Sequence, residues 1–137
     1  MRKAQIVLIE DNPADVYLVE LAIREKNIPC ALIRFESGVD AVAAFDAAES
    51  SQDLHPDAVL LDLNTPRTDG FEALRKLKNS PRLAHVPIAI FTSSRARTDK
   101  QRAAIQGARY IEKPSQLNEF LTSVGGAIEE MLASSRR

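Results

Sequence analysis

The stretch QIVLIEDNPADVYLVELAI, residues 5–23, joins a short apolar run to a longer amphipathic segment. Residues Gln5 to Ile9 are almost continuously aliphatic, which is typical of a strand buried on both faces. Asn12 and Pro13 are favoured at the N-cap and the first helical position, and aliphatic residues then recur every three or four positions. The stretch therefore predicts a buried strand followed by a helix that runs to about Lys26.

The same alternation of apolar runs and amphipathic segments continues along the rest of the chain. The predicted strands are Gln5 to Ile9, Ala31 to Phe35, Ala58 to Leu61, Ile88 to Thr92 and Arg109 to Ile111, all short enough to be buried strands. The later helices are predicted over or around Val39 to Phe45, Phe71 to Leu77, Thr98 to Gln106 and Leu117 to Met131. Strands that alternate with helices form parallel sheets covered on both faces. The predicted fold is α/β, with a doubly wound five-stranded parallel sheet and helices on both faces.

Composition limits the possible classes of function. The chain has 137 residues, of which 45% are hydrophobic, so we predict a single domain over residues 1–137 with no output domain. Its 18 basic and 19 acidic residues are balanced, which argues against nucleic acid or an acidic membrane as a partner. We see no targeting leader and no membrane-spanning run, and a lone cysteine, Cys30, cannot form an internal disulfide. The expected location is the cytoplasm.

Polar residues collect where the predicted strands end. Glu10 and Asp11 follow the first strand, Asp62 follows the third, Thr92 ends the fourth and Lys113 comes soon after the fifth. In a doubly wound sheet these strand ends share one edge, where ligands bind. Crowded carboxylates need a cation, and hard oxygen ligands suit Mg²⁺. Asp62 is the predicted nucleophile for a phosphoryl group, with Thr92 and Lys113 at the oxygens of that group.

These residues resemble the motifs of response-regulator receiver domains of two-component systems. The matching motifs, in chain order, are Glu10-Asp11, Leu61-Asp62-Leu63-Asn64, Asp69-Gly70, Thr92-Ser93 and Lys113-Pro114. The resemblance spans nearly the whole chain and implies the flavodoxin-like strand order 2-1-3-4-5. The stretch from Leu63 to Gly70, together with Thr92-Ser93-Ser94, is especially similar to single-domain receivers paired with bacteriophytochrome-type sensor kinases.

The resemblance implies a role for each site residue. Asp62 would accept a phosphoryl group from the phosphohistidine of a sensor histidine kinase. Mg²⁺ would be held by the side chains of Glu10, Asp11 and Asp62 and by the backbone carbonyl of Asn64. Thr92 would be the switch hydroxyl, and Lys113 would contact the phosphoryl group.

The resemblance also implies a conformational change and a set of partners. Tyr110 would turn inward as Thr92 moves toward the phosphoryl group, and the Lys113–Pro114 bond would be cis. The changed surface would be the fourth helix, fifth strand and fifth helix, which is also the expected seam of a homodimer. Expected partners are a sensor histidine kinase of phytochrome-like type and a downstream protein that the sequence does not identify. The chain is expected to be a switch with at most weak autophosphatase activity, not an enzyme.

Two other classes of protein share part of this pattern. A phosphatase with an aspartate nucleophile would carry Asp-x-Asp after a strand, but here Asn64 replaces the second carboxylate and leaves no general acid. A flavin-binding module would need a hydroxyl- and glycine-rich loop after the first strand to hold phosphate. That loop here begins with Glu10-Asp11, whose charges would repel the phosphate.

Overall fold

The computed structural model of the chain describes residues 3–47 and 54–135. Strands and α-helices alternate along them in the order β1 (Ala4–Ile9), α1 (Pro13–Glu25), β2 (Cys30–Phe35), α2 (Gly38–Ala47), β3 (Ala58–Leu61), α3 (Gly70–Lys78), β4 (Ile88–Thr92), α4 (Arg97–Ile105), β5 (Arg109–Glu112) and α5 (Leu117–Ser135). A 3₁₀ turn over Pro81–Leu83 precedes β4. The strand bounds, and those of α1 and α4, agree with the predicted ones to within one residue. No helix within the described ranges combines the length and apolar character needed to cross a membrane.

The strands form one parallel sheet in the order β2-β1-β3-β4-β5, which confirms the predicted topology. Ile9 at the end of β1 lies beside Leu61 at the end of β3, and Leu61 lies beside Ile90 of β4. The residues that directly follow β1 and β3 are therefore neighbours at the carboxyl edge of the sheet.

Alternate residues of the central strands enter two separate cores, one on each face of the sheet. The first core contains Leu61 of β3 together with residues of α2, α3 and α4. The second contains Leu60 with residues of α1 and α5, among them Phe120, whose ring meets Phe91 edge-on at 5.8 Å. Because side chains of a strand point alternately to opposite faces and both faces are covered, the central strands read as continuous apolar runs.

The two edge strands are less buried than the apolar runs predicted. β2 pairs with β1 at one edge of the sheet, and its side chains are half-buried or exposed. At the other edge, β5 buries only Ile111 completely and exposes Arg109. An edge strand has a neighbour on one side only, so its covering helices protect it less. The prediction of fully buried strands was therefore wrong for both edge strands, β2 and β5.

Helix ends follow the predicted capping chemistry. The Asn12 Oδ1 atom accepts a hydrogen bond from the backbone N–H of Ala14 at 2.9 Å, which caps α1 as predicted. Gly107, which follows α4, has a φ of 72°, the left-handed conformation that favours glycine at a helix C-terminus.

α5 continues through two adjacent glycines, which differ in their surroundings. A Cβ atom at Gly125 would lie 2.9 Å from the Lys26 Cδ atom, so the glycine leaves room for the lysine stem that packs across α5. Apart from its own stretch of helix, a Cβ atom at Gly126 would have no heavy atom of the described residues within 4 Å. Packing therefore explains the glycine at the first position and not at the second.

Candidate functional site

Three carboxylates meet at the carboxyl edge of the sheet. Glu10, Asp11 and Asp62 each offer an oxygen, and these oxygens all lie within 4.8 Å of one another. The backbone hydrogen bonds of the sheet continue one residue past the strands. The N–H of Glu10 donates to the Phe35 carbonyl at 3.0 Å, and that of Asp62 donates to the Ile9 carbonyl at 3.0 Å. The sheet thus fixes the backbone of two acids and brings together the three that were predicted to converge.

The three acids differ in their exposure to water. Glu10 and Asp62 are buried, with exposed fractions of 0% and 5%, whereas Asp11 is exposed. Burial raises the pKa of Glu10 from 4.5 to about 7. A hydrogen bond from Lys113 opposes this rise, and the nearby charge of Asp62 adds to it. Glu10 therefore depends on a neighbouring cation to stay ionised near neutral pH.

Lys113 supplies a cation to this cluster. Its backbone N–H donates to the Thr92 carbonyl at 2.8 Å, which extends the pairing of β4 and β5 to this residue. Its Nζ atom donates to Glu10 Oε2 at 2.7 Å, to Asp15 Oδ2 at 2.9 Å and to Asp62 Oδ2 at 3.5 Å. Burial alone would lower the pKa of Lys113, but the two shorter hydrogen bonds and the charges of Asp62 and Glu10 outweigh it and raise the pKa. The ammonium therefore stays charged.

Asp15 is a site residue that sequence reasoning missed. By its residue type and position alone, Asp15 is a carboxylate in the first turn of a helix, where it interacts favourably with the helix dipole. Because α1 starts from the loop after β1, its first turn borders the edge of the sheet where ligands bind in this architecture. That position was the signal that could have assigned Asp15 to the site.

Thr92 and Tyr110 are linked through Ser94. Thr92 is fully buried, and its Oγ1 atom accepts a hydrogen bond from the Ser94 N–H at 3.3 Å. The hydroxyl of the half-buried Tyr110 donates to the Ser94 carbonyl at 2.7 Å. The Ser94 hydroxyl donates to Asp99 Oδ2, in the first turn of α4, at 2.7 Å. Hydrogen bonds thus connect the end of β4 to β5 and to the start of α4, and the inward turn of Tyr110 stays a prediction.

Two backbone predictions concern this edge of the sheet. The described residues contain no cis peptide bond, so the prediction of a cis Lys113–Pro114 bond was wrong. Proline reduces the preference for trans to about 0.5–1 kcal/mol without reversing it, so the residue type cannot determine the isomer. The N–H of Asn64 donates to Asp62 Oδ1 at 3.2 Å, which holds the loop after β3 against the acid. Metal ligation by the Asn64 carbonyl stays a prediction.

The chemistry of the acid cluster suits a hard divalent cation. Its three side chains offer only carboxylate oxygens, which are preferred ligands of Mg²⁺ and Mn²⁺. Exposure of Asp11 leaves one side of the cluster open to solvent, and Mg²⁺ usually retains several water ligands. Glu10, Asp11 and Asp62 are therefore the residues that would hold such an ion.

The strand order and the acidic carboxyl edge together define the class of protein. Residues 6–125 match the family model of the response regulator receiver domain. This match covers most of the chain, so the chain belongs to the response regulator receiver domain family of two-component signalling.

Particular relatives agree with this assignment. The chain is 35% identical to the response regulator Rcp1 of Synechocystis sp. over 95 residues, which cover 69% of this chain and 65% of Rcp1, less than two thirds of its length. It is similar to the solved structure of the phosphorylated cyanobacterial phytochrome response regulator RcpA, with a TM-score of 0.85, 29% identity and coverage of 97% of this chain and 96% of that chain. The Mn²⁺-bound form of Rcp1 is also similar, with a TM-score of 0.82, 30% identity and coverage of 96% and 95%. The predicted resemblance to receivers is confirmed.

Proposed function

We propose that Asp62 is the phospho-acceptor of a two-component pathway and that it works with Mg²⁺ bound beside it. The observation that carries the proposal is the meeting of an ammonium with the acid cluster. Lys113 Nζ lies 3.5 Å from Asp62 Oδ2, and the oxygens of Glu10, Asp11 and Asp62 lie within 4.8 Å of one another. Phosphoryl transfer to a carboxylate needs a positioned nucleophile and neutralised charge, and this edge of the sheet offers both.

The proposed donor is the phosphohistidine of a sensor histidine kinase, and the proposed step is an in-line displacement at phosphorus. A P–O bond forms to a carboxylate oxygen of Asp62 while the P–N bond breaks. The donor histidine, protonated on its other ring nitrogen, leaves as neutral imidazole. Lys113 contacts Asp62 and Glu10, so its ammonium can follow the negative charge onto the transferred oxygens. When bound, Mg²⁺ would neutralise charge on those oxygens.

The proposed output is a change in the surface formed by α4, β5 and α5. A phosphoryl group on Asp62 adds negative charge near Thr92 and would bias an equilibrium that already exists in the unmodified protein. The hydrogen bonds of Ser94 to Thr92, Tyr110 and Asp99 support this route, because they lead from the site to α4. The changed surface would bind a downstream protein or a second copy of the chain. The protein itself would hydrolyse the aspartyl phosphate only slowly, so we propose that it acts as a switch and not as an enzyme.

We propose a phytochrome-like sensor kinase in the cytoplasm as the donor, and the similarity to the cyanobacterial phytochrome response regulator RcpA supports this choice. Phosphotransfer from a purified phytochrome-type kinase should be faster than transfer from kinases with unrelated sensor domains. Equal transfer rates from all kinases would contradict the proposed partner and leave the role of Asp62 unaffected.

Intact mass after incubation with acetyl phosphate tests the central proposal. The wild-type protein should gain one phosphoryl group in Mg²⁺ and none in chelator, and Asp62→Asn should gain none. Asp69→Asn is a matched control, because Asp69 caps α3 through the N–H groups of Phe71 and Glu72, and asparagine is an equally good cap. The control should be phosphorylated like the wild type. Modification of Asp62→Asn at the wild-type rate, or no modification of the wild type, would show that the proposal is wrong.

A further inference from the structure

Arg34 lies on the edge strand β2 and reaches the loop that carries two of the three acids. Its Nε atom donates to the Glu10 carbonyl at 2.9 Å, and its Nη2 atom donates to the Asp11 carbonyl at 3.1 Å. Its side chain is 32% exposed, so the guanidinium is partly buried against the loop. One side chain thus holds two successive peptide groups.

The Arg34 guanidinium continues the hydrogen bonding between β2 and the chain after β1 beyond the last backbone hydrogen bond of the sheet. The N–H of Glu10 makes the last backbone hydrogen bond to β2, at the Phe35 carbonyl. Beyond this bond, Arg34 connects β2 to the loop through its side chain. A planar guanidinium presents its N–H groups in a fixed fork that fits two neighbouring acceptors, whereas a lysine ammonium is a point charge.

The loop held in this way sets the positions of the Glu10 and Asp11 carboxylates. The N–H of Asn12 also donates to Glu10 Oε1 at 3.1 Å, so the loop backbone and the Glu10 carboxylate are directly connected. Among the residues that the structure describes, Arg34 also forms an ion pair with Glu36, at 3.9 Å and with 72% of the Glu36 side chain exposed, which makes that pair weak. The main interactions of Arg34 are therefore those with the loop.

We infer that Arg34 is a positioning residue that holds Glu10 and Asp11 in the arrangement that binds the divalent cation, an inference that rests on the proposed function. Two effects of Arg34 oppose each other. Its charge repels a cation, but it donates to backbone carbonyls and is partly exposed, so solvent and salt screen this repulsion. Ordering the two ligands in advance lowers the entropy lost on binding, and residues that orient metal ligands commonly change affinity by about 10–100-fold. Positioning therefore outweighs repulsion.

Titration calorimetry with Mg²⁺ on metal-free protein tests whether Arg34 raises or lowers the affinity for Mg²⁺. Arg34→Met should bind Mg²⁺ about tenfold more weakly than the wild type. Arg34→Lys keeps the charge without the fork and should recover only part of the affinity. Arg82→Met is the control, because Arg82 Nη1 donates to the Leu54 carbonyl at 3.0 Å before β3, at the opposite end of the sheet, and it should bind Mg²⁺ like the wild type. Equal or tighter binding by Arg34→Met, or full recovery in Arg34→Lys, would overturn the inference.

Folding of each variant is checked by urea denaturation in chelator. If Arg34→Met does not fold, Arg34→Lys decides alone: weaker Mg²⁺ binding at unchanged metal-free stability supports positioning, and unchanged binding overturns it. A wild-type protein that does not bind Mg²⁺ would instead contradict the proposed metal site, and this inference with it. This experiment measures Mg²⁺ affinity and not phosphorylation. The inference about Arg34 can therefore be supported or overturned whether or not Asp62 accepts a phosphoryl group.

Discussion

Replacing Lys113 by methionine should destabilise the metal-free protein strongly. The Nζ atom lies 2.7 Å from Glu10, 2.9 Å from Asp15 and 3.5 Å from Asp62, and 11% of the lysine side chain is exposed. Removing one partner of a buried ion pair costs about 3–5 kcal/mol, because a charge is left without compensation. We expect the lower value, about 3 kcal/mol, since the pKa of Glu10 is already about 7 and this carboxyl can take up a proton when the ammonium is lost.

Relative to the metal-free wild type, Mg²⁺ should restore most of the stability that Lys113→Met loses, because it brings a cation to the same carboxylates. A ligand present at about 100 times its Kd stabilises the folded state by about 2.7 kcal/mol. Lys113→Met should also bind Mg²⁺ more tightly than the wild type, since the ammonium no longer competes for Glu10.

Urea denaturation followed by circular dichroism, in chelator and in Mg²⁺, measures both effects. Lys100→Met is the control, because the Lys100–Glu112 pair has a similar length, 3.2 Å, but side chains that are 47% and 34% exposed. The control should lose less than about 1 kcal/mol in both conditions. If the free energy of unfolding of Lys113→Met were the same in chelator and in Mg²⁺, or if this variant lost no more than the control, the assignment of Lys113 as the cation of the acid cluster would be refuted.

Protons should compete with Mg²⁺ for the Glu10 carboxylate. Because the pKa of this carboxyl is about 7, the Mg²⁺ affinity measured by calorimetry should fall about tenfold from pH 8 to pH 6. An affinity that does not change with pH would contradict the raised pKa of Glu10. Asp15→Asn keeps the side-chain shape but removes an anion beside the Lys113 ammonium. The Mg²⁺ affinity should therefore fall by about 1 kcal/mol, roughly fivefold. An unchanged affinity would count against a role for Asp15 in the site. Gly126→Ala should raise the free energy of unfolding by about 1 kcal/mol, because the new Cβ meets nothing within 4 Å. Gly125→Ala should gain less, since its Cβ would lie 2.9 Å from Lys26, and equal gains in urea denaturation would show that this packing is unimportant.

The convergence of the acids was predictable because it depends on local patterns and one topological rule. The apolar runs that end at Ile9 and Leu61 mark where β1 and β3 leave the core, so Glu10 and Asp62 were placed correctly at the strand ends. Parallel strands share their carboxyl edge, which puts the residues after them close together without any knowledge of side-chain direction.

Other features depended on three-dimensional detail that residue types do not carry. Arg34 interrupts an apolar run and looks like an ordinary strand residue, because the predicted strand order places β2 beside β1 without showing that the Arg34 side chain reaches the Glu10 and Asp11 carbonyls. The contact of Asp15 with Lys113 depends on which way the first turn of α1 faces. The Lys113–Pro114 isomer depends on a free-energy difference of about 1 kcal/mol or less, which tertiary packing decides.

Lys113 is separated in sequence from Glu10 by 103 residues and from Asp15 by 98. The strand that positions the lysine, β5, is the last of the sheet to be synthesised. On the ribosome, the acids of the N-terminal part therefore emerge long before the ammonium that neutralises them. Closing so long a loop also makes this contact one of the most entropically demanding in the fold. Under the proposed function, an unfinished chain cannot carry a working acceptor site, so a growing polypeptide would not respond to its kinase prematurely.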